Sequence, residues 1–253
     1  MVASNSTEDA VLRTEVRNGV ATLTMDRPAA RNAMNSVLVS QLAAALEQAE
    51  QDPAVAAIVI TGSDPVFCAG LDIREFNATG RPPAGVNDLI LGMPALSKPT
   101  LGALNGAVAT GGLEFALGLD MLIASERATF RDTHASVGIL PGGGMTARLP
   151  RALGARLAAE MSFTGRVLDA QEALHHGLVT RVVAHQDLMS TAQAMGEAIA
   201  ANNPEIVRQL KRLYRTSLDA TMADGVANEV AEREARRARG GQLVPTSDRV
   251  RLG

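Results

Sequence analysis

An acidic side chain, Glu114, sits in the middle of the run Pro99–Ser125, PTLGALNGAVATGGLEFALGLDMLIAS, where every neighbour for five residues on either side but Thr110 is apolar or glycine. A carboxylate in such surroundings is costly to ionise unless hydrogen bonds or charges compensate. The pair Gly111-Gly112 precedes it by two residues. Glycines there allow a backbone bend that offers bare N–H groups to a ligand. Phe67-Cys68-Ala69-Gly70-Leu71-Asp72-Ile73 repeats that pattern of strand, glycine turn and helix start. Helix starts present N–H donors to an anion, so two facing each other could hold one oxyanion. Taken singly, the glycines of each stretch are explained by tight turns alone.

Other motifs lead nowhere. Gly142-x-Gly144-x-x-Ala147 matches the dinucleotide fingerprint formally, but no long strand precedes it and no acidic residue ends a strand about 20 residues on. No phosphate-binding P-loop, zinc-protease motif, nucleophile elbow or Cys/His metal spacing is present, so no metal is expected. His175-His176 stands just before Gly177, where favourable interaction with a helix end accounts for it.

The elements that must position these residues follow from periodicity. Leu12–Asn18 and Gly19–Met25 read as a hairpin around Asn18-Gly19. Ser36 is a candidate N-cap for a helix over Val37–Gln51. Ala56–Thr61, Pro99–Leu104, Asp120–Ala124 and Leu178–Val183 read as buried strands, each leading through a turn into helical text. Short helices are expected over Leu71–Phe76, Gly111–Gly118 and Ala170–His176, and a longer one over Arg148–Met161. Asn77–Val86 is glycine- and proline-rich, either a lid or slack loop. Beyond Asp187 only helices are expected. The division is a polar tail over 1–10, an α/β core over 11–185 and a helical region over 186–253.

Composition narrows the class. The 253 residues carry a net charge of -3, which argues against nucleic acid as partner. One cysteine, Cys68, fits a reducing compartment, and the N-terminus has no signal-peptide pattern, so a cytoplasmic protein is expected. Glu114, Asp120, Asn105 and the glycines disqualify Pro99–Ser125 as a membrane span.

Together the segments DRPAARNAMN, FCAGLDIREF, KPTLGALNGAVATGGLEFALGLDMLIAS and FRDTHASVGILPGGGMTARLPRALG resemble the enoyl-CoA hydratase/isomerase (crotonase) superfamily, from about Val11 to Val183. The resemblance implies an α/β fold, a spiral of ββα units with a C-terminal helical trimerisation region. It implies a homotrimer or dimer of trimers acting on an acyl-CoA thioester in fatty acid metabolism, with no cofactor beyond the coenzyme A of the substrate. The thioester oxygen would take hydrogen bonds from the backbone N–H of Leu71 and of Gly111. Substrate and coenzyme A contacts would come from Arg27, Arg31, Cys68, Ala69, Gly70, Asp72, Ile73, Arg74 and Gly112, with Lys98 a further phosphate candidate. Cys68 is given no covalent role, and Asp72 also reads as a helix-start carboxylate.

Hydratases of this family use two glutamates, one supplying the α-proton and one activating water. Glu114 stands at the first position. At the second, in Phe130-Arg131-Asp132-Thr133-His134-Ala135-Ser136-Val137-Gly138, His134 replaces the glutamate. His134 either acts as the second acid/base, or binds substrate beside a lone Glu114, or marks another enolate reaction; a hydrogen-bonded histidine without chemistry is also open. Asp132 could support it, although side chains two apart need not face each other. The expected reaction is lyase-type hydration of a 2-enoyl-CoA. Isomerisation, decarboxylation, thioester hydrolysis and non-catalytic acyl-CoA binding are the alternatives.

Overall fold

The computed structural model describes residues 11–240; the expected tail over 1–10 lies outside them. The hairpin forms as read, β1 (Leu12–Arg17) antiparallel to β2 (Val20–Met25), with Asn18 and Gly19 both at positive φ. Helix α1 (Ser36–Gln51) is capped by Asn35, whose side chain accepts from the Leu38 N–H. Ser36, the cap expected from sequence, instead bonds Glu75 through its N–H and hydroxyl. Then come β3 (Ala57–Gly62), β4 (Val66–Cys68), α2 (Ile73–Thr79) and α3 (Val86–Gly92); the last two reach into the ends of the stretch expected as loop, and residues 80–85 between them are irregular.

The next units are β5 (Thr100–Leu104), β6 (Ala107–Ala109) and α4 (Gly111–Ala116), then β7 (Met121–Ser125), β8 (Thr129–Arg131) and α5 (His134–Val137). Helices α6 (Met145–Leu153) and α7 (Ala155–Thr164) divide at Gly154 what periodicity reads as one helix. They are followed by β9 (Val167–Asp169), α8 (Ala170–His175), β10 (Arg181–Val183), α9 (Leu188–Ala200), α10 (Pro204–Leu218) and α11 (Met222–Ala238).

Two sheets result. One has the order β1-β2-β3-β5-β7-β10, parallel from β2 onward; the other has β4-β6-β8-β9, parallel except for β9. Each of the pairs β3/β4, β5/β6 and β7/β8 gives its first strand to the large sheet and its second to the small one, then enters a helix. This is a spiral of ββα units. The long strands were legible because β3 and β5 are buried on both faces. The small-sheet strands have three residues each, too few for periodicity to reveal.

Helix α9 packs on the large sheet, where Leu188 and Ala192 join Val20, Val59, Leu101, Ala103 and Ile123. The first compact unit accordingly extends to Val207, past the boundary at 185 expected from sequence. The second unit begins at Arg208 and contains α11, tied to α10 by Arg212–Glu232 at 2.7 Å. Among the described residues no helix is long and apolar enough to cross a membrane.

Lys98 has a structural task instead of the phosphate contact expected of it. Its buried Nζ donates to the carbonyls of Ala49 (2.7 Å) and Asp52 (2.6 Å) at the end of α1, satisfying groups a helix leaves open. Lys98→Ala is expected to lower stability by about 2–4 kcal/mol, since two charge-assisted hydrogen bonds are lost and buried carbonyls stay bare. Urea unfolding checks this; coenzyme A affinity should not change.

Candidate active site

The small sheet carries the site. At the end of β4 the chain turns through Gly70, whose φ of 105° only glycine adopts readily. A parallel bridge pairs Met34 with Leu71: Met34 N–H donates to Gly70 O (2.8 Å) and Asp72 N–H to Met34 O (2.9 Å). That register leaves the Leu71 N–H out. At the end of β6, Thr110 takes φ 51° and ψ -114°, a strained conformation for a β-branched residue. Its N–H donates to Arg131 O (3.1 Å) and its hydroxyl bonds that of Thr133, so β8 holds the strain in place. The bend makes Gly111 the first residue of α4. Its N–H, like that of Leu71, donates to no acceptor among the described residues. The two turns touch: a Cβ on Gly70 would stand 3.2 Å from Gly111 N, and one on Gly111 would stand 3.3 Å from Leu71 Cδ2.

One turn along α4, Glu114 is buried, with 4% of its surface exposed. Its Oε1 accepts from the N–H of Gly143 (2.7 Å) and of Met145 (3.2 Å), which compensates the burial noted from sequence. The glycine-rich segment that fails as a nucleotide fingerprint is thus a cradle for this carboxylate. A Cβ on Gly143 would lie 3.0 Å from Glu114 Oε2, so the approach requires glycine. With Oε1 occupied, Oε2 is the oxygen left for chemistry. It lies 3.7 Å from Nε2 of His134, the first residue of α5. His134 is itself 7% exposed, and its Nδ1 donates to Asp132 Oδ1 at 2.6 Å. Arg148 on α6 donates to the carbonyls of Ile90 and Gly143; burial lowers its guanidinium pKa while the charge of Glu114 opposes that shift.

Sequence reasoning left Asp132 open as a support for His134 and missed Ser162. Asp132 is two residues from His134 and 1% exposed; its Oδ2 accepts from Ser162 Oγ (2.7 Å) on α7, a helix with no signal toward the site. Burial raises the Asp132 carboxyl, but hydrogen bonds from His134 and Ser162 outweigh it and hold the group below the usual carboxylate range.

The proposed coenzyme A contacts separate into two sets. Arg27 is internally committed: Nη2 pairs with Asp72 Oδ2 at 2.9 Å and Nη1 donates to Ala33 O. Asp72 caps α2, accepting from the N–H of Arg74 and Glu75. Burial raises its carboxyl, and the bonds from Arg27 and those two amides outweigh the effect and lower it. Cys68 is fully buried, and burial pushes its thiol up to about 12. Gly112 packs against Cys68 in the core of the turn. The side chains of Arg27, Asp72 and Cys68 are therefore structural. Arg31, Ile73 and Arg74 are exposed, and Ala69 and Gly70 line the turn beside Leu71.

Asp72 and Asp132 give the fold an acid dependence. A carboxyl whose folded pKa is below its unfolded value near 3.9 stabilises the fold above that pH, and the contribution disappears as pH falls through the folded value. Stability is thus expected to fall below about pH 4, and less steeply in Asp72→Asn. Urea midpoints from pH 3 to 7 check the sign.

The model of the enoyl-CoA hydratase/isomerase family matches residues 15–236. The chain belongs to this family. A probable enoyl-CoA hydratase of Rhizobium meliloti is 38% identical over 221 residues, covering 86% of both chains. The crystal structure of an enoyl-CoA hydratase from Mycobacterium tuberculosis H37Rv aligns at TM-score 0.76 and 43% identity, over 90% of this chain and 99% of that one. One from Bacillus anthracis aligns at TM-score 0.83 and 29% identity, over 88% and 90%. The family match over residues 15–236 includes every residue of the site just described.

Proposed function

We propose that the protein hydrates a 2-enoyl-CoA, with Glu114 and His134 as its acid/base pair. The observation that carries this is the opposition of Glu114 Oε2 and His134 Nε2 at 3.7 Å, each with its other polar atom already bonded, with Glu114 on the helix that opens with the free Gly111 N–H. Between them the two groups hold one transferable proton. One takes a proton from water as the oxygen bonds to C3; the other delivers a proton to C2. Exchange between the two atoms restores the starting state.

As the C2–C3 π bond breaks, charge moves onto the thioester oxygen, which the Leu71 and Gly111 N–H groups bind. One such donor is typically worth about 2.7–4 kcal/mol of barrier. Exposed Arg31 and Arg74 would hold the phosphates of coenzyme A, and the reaction as written uses no further cofactor. Assembly as a homotrimer or dimer of trimers follows from the family resemblance, and exposed Leu140, Phe163, Leu218 and Met222 are apolar surface that association between copies would cover. The single, buried, free cysteine supports a reducing compartment such as the cytoplasm.

Enoyl-CoA esters of graded chain length should lose their enoyl-thioester absorbance on incubation with the enzyme. His134→Ala should lower the rate and remove one limb of the pH–rate profile. An enzyme inert across all chain lengths, yet binding the esters, would rule the reading out.

A further inference from the structure

We infer that Asp132 is a positioning residue for His134, and that Ser162 fixes Asp132 for that task. The inference rests on the acid/base reading of His134 and deepens it. Asp132 follows the last residue of β8, and its carboxylate fills the space between that strand end and α7. Oδ1 takes both the N–H of His134 (3.0 Å) and its Nδ1 (2.6 Å), while Oδ2 takes the Ser162 hydroxyl (2.7 Å). An ionised carboxylate only accepts hydrogen bonds, so Nδ1 must carry the hydrogen. The lone pair of the neutral ring then lies on Nε2, the atom that faces Glu114.

Without this contact the ring has two tautomers and two flipped orientations. Only one of these four arrangements points a bare nitrogen at the reacting atoms. The backbone offers little help, because His134 opens a helix of four residues. Asp132 removes the choice, and its own bond from Ser162 stops the carboxylate from rotating away. Throughout the cycle Nδ1 keeps its hydrogen and only the Nε2 proton is exchanged. The titratable groups facing the ring are Asp132, from the end of β8, and Glu114, from α4; Arg148, on α6, faces Glu114.

The test compares full-length wild type with Asp132→Asn, Ser162→Ala, His134→Ala and the Asp132→Asn/His134→Ala double variant, using crotonyl-CoA. Asp132→Asn is expected to lower kcat by about 10²–10⁴-fold, the range seen when a histidine loses its orienting carboxylate, with KM little changed. Ser162→Ala should lower kcat by less than about tenfold, since the Nδ1 bond remains. In the His134→Ala background the Asp132 substitution should do nothing further, because a residue acting through another has no effect once that other is gone. Nitrogen-15 spectra of the histidines should show His134 with hydrogen on Nδ1 in wild type and a mixed population in Asp132→Asn. These spectra and the Ser162 variant decide the matter even if Asp132→Asn folds poorly.

The inference is overturned if wild-type His134 carries its neutral-form hydrogen on Nε2. It is equally overturned if Asp132→Asn keeps full kcat while His134→Ala is inactive, or if the two substitutions multiply. Wild-type activity in His134→Ala would instead remove the acid/base reading beneath it.

Discussion

Glu114→Gln is expected to lower kcat for hydration by about 10²–10⁴-fold while leaving the melting temperature nearly unchanged. The two effects separate because the carboxylate has two distinct tasks. Oε1 accepts from Gly143 and Met145, and a glutamine carbonyl can accept the same bonds, so the loop after α5 stays docked. Oε2 is the oxygen that faces His134. Replaced by an amide, it no longer takes up or releases a proton at neutral pH. Steady-state kinetics and thermal melts on the same preparation check both halves. A variant that is folded and fully active would remove Glu114 from the chemistry.

Gly112→Ala should destabilise the fold by about 3 kcal/mol or prevent folding. An added Cβ would enter the carbonyl oxygen of Cys68 and lie 2.8 Å from its Cβ. Overpacking ordinarily costs about 1–3 kcal/mol because side chains yield, but here much of the obstacle is backbone of β4. Relief would require β4 and α4 to separate, and that would also pull the Leu71 and Gly111 N–H groups apart. Gly92→Ala is the control: it is helical and nothing would lie within 4 Å of its Cβ, so its stability should hold or rise by up to about 1 kcal/mol. Urea unfolding of both variants tests the contrast; equal midpoints would contradict it.

How much of this was legible depended on the length and spacing of each signal. Glu114 stood out because a charge inside an apolar run is expensive, and the structure supplies the two amides that compensate it. The large-sheet strands β3, β5 and β7 showed as continuous apolar text. Strands β8 and β9 did not, and β4 and β6 showed only as the short lead-ins to two glycine turns; these small-sheet strands bring the Leu71 turn, the Gly111 turn and His134 together. The Asp132–His134 contact was hidden by its spacing: in a strand, residues two apart share a face, but only the break into α5 lets a carboxylate reach the ring beside it. Ser162 gave no signal at all, since a serine on an amphipathic helix has no distinguishing neighbours. Arg27 and Lys98 misled in the opposite sense. Charge suggested phosphate binding, whereas burial assigns one to Asp72 and the other to the end of α1.

The measurement that bears most directly on the account is hydration of crotonyl-CoA by the wild-type enzyme in D2O, with products read by mass spectrometry and proton NMR. A proton delivered to C2 by Glu114 or His134 originates from solvent, so the account predicts 3-hydroxybutyryl-CoA with a single non-exchangeable deuterium at C2. Free coenzyme A thiol as the product, or unchanged crotonyl-CoA bound to the enzyme, would contradict it.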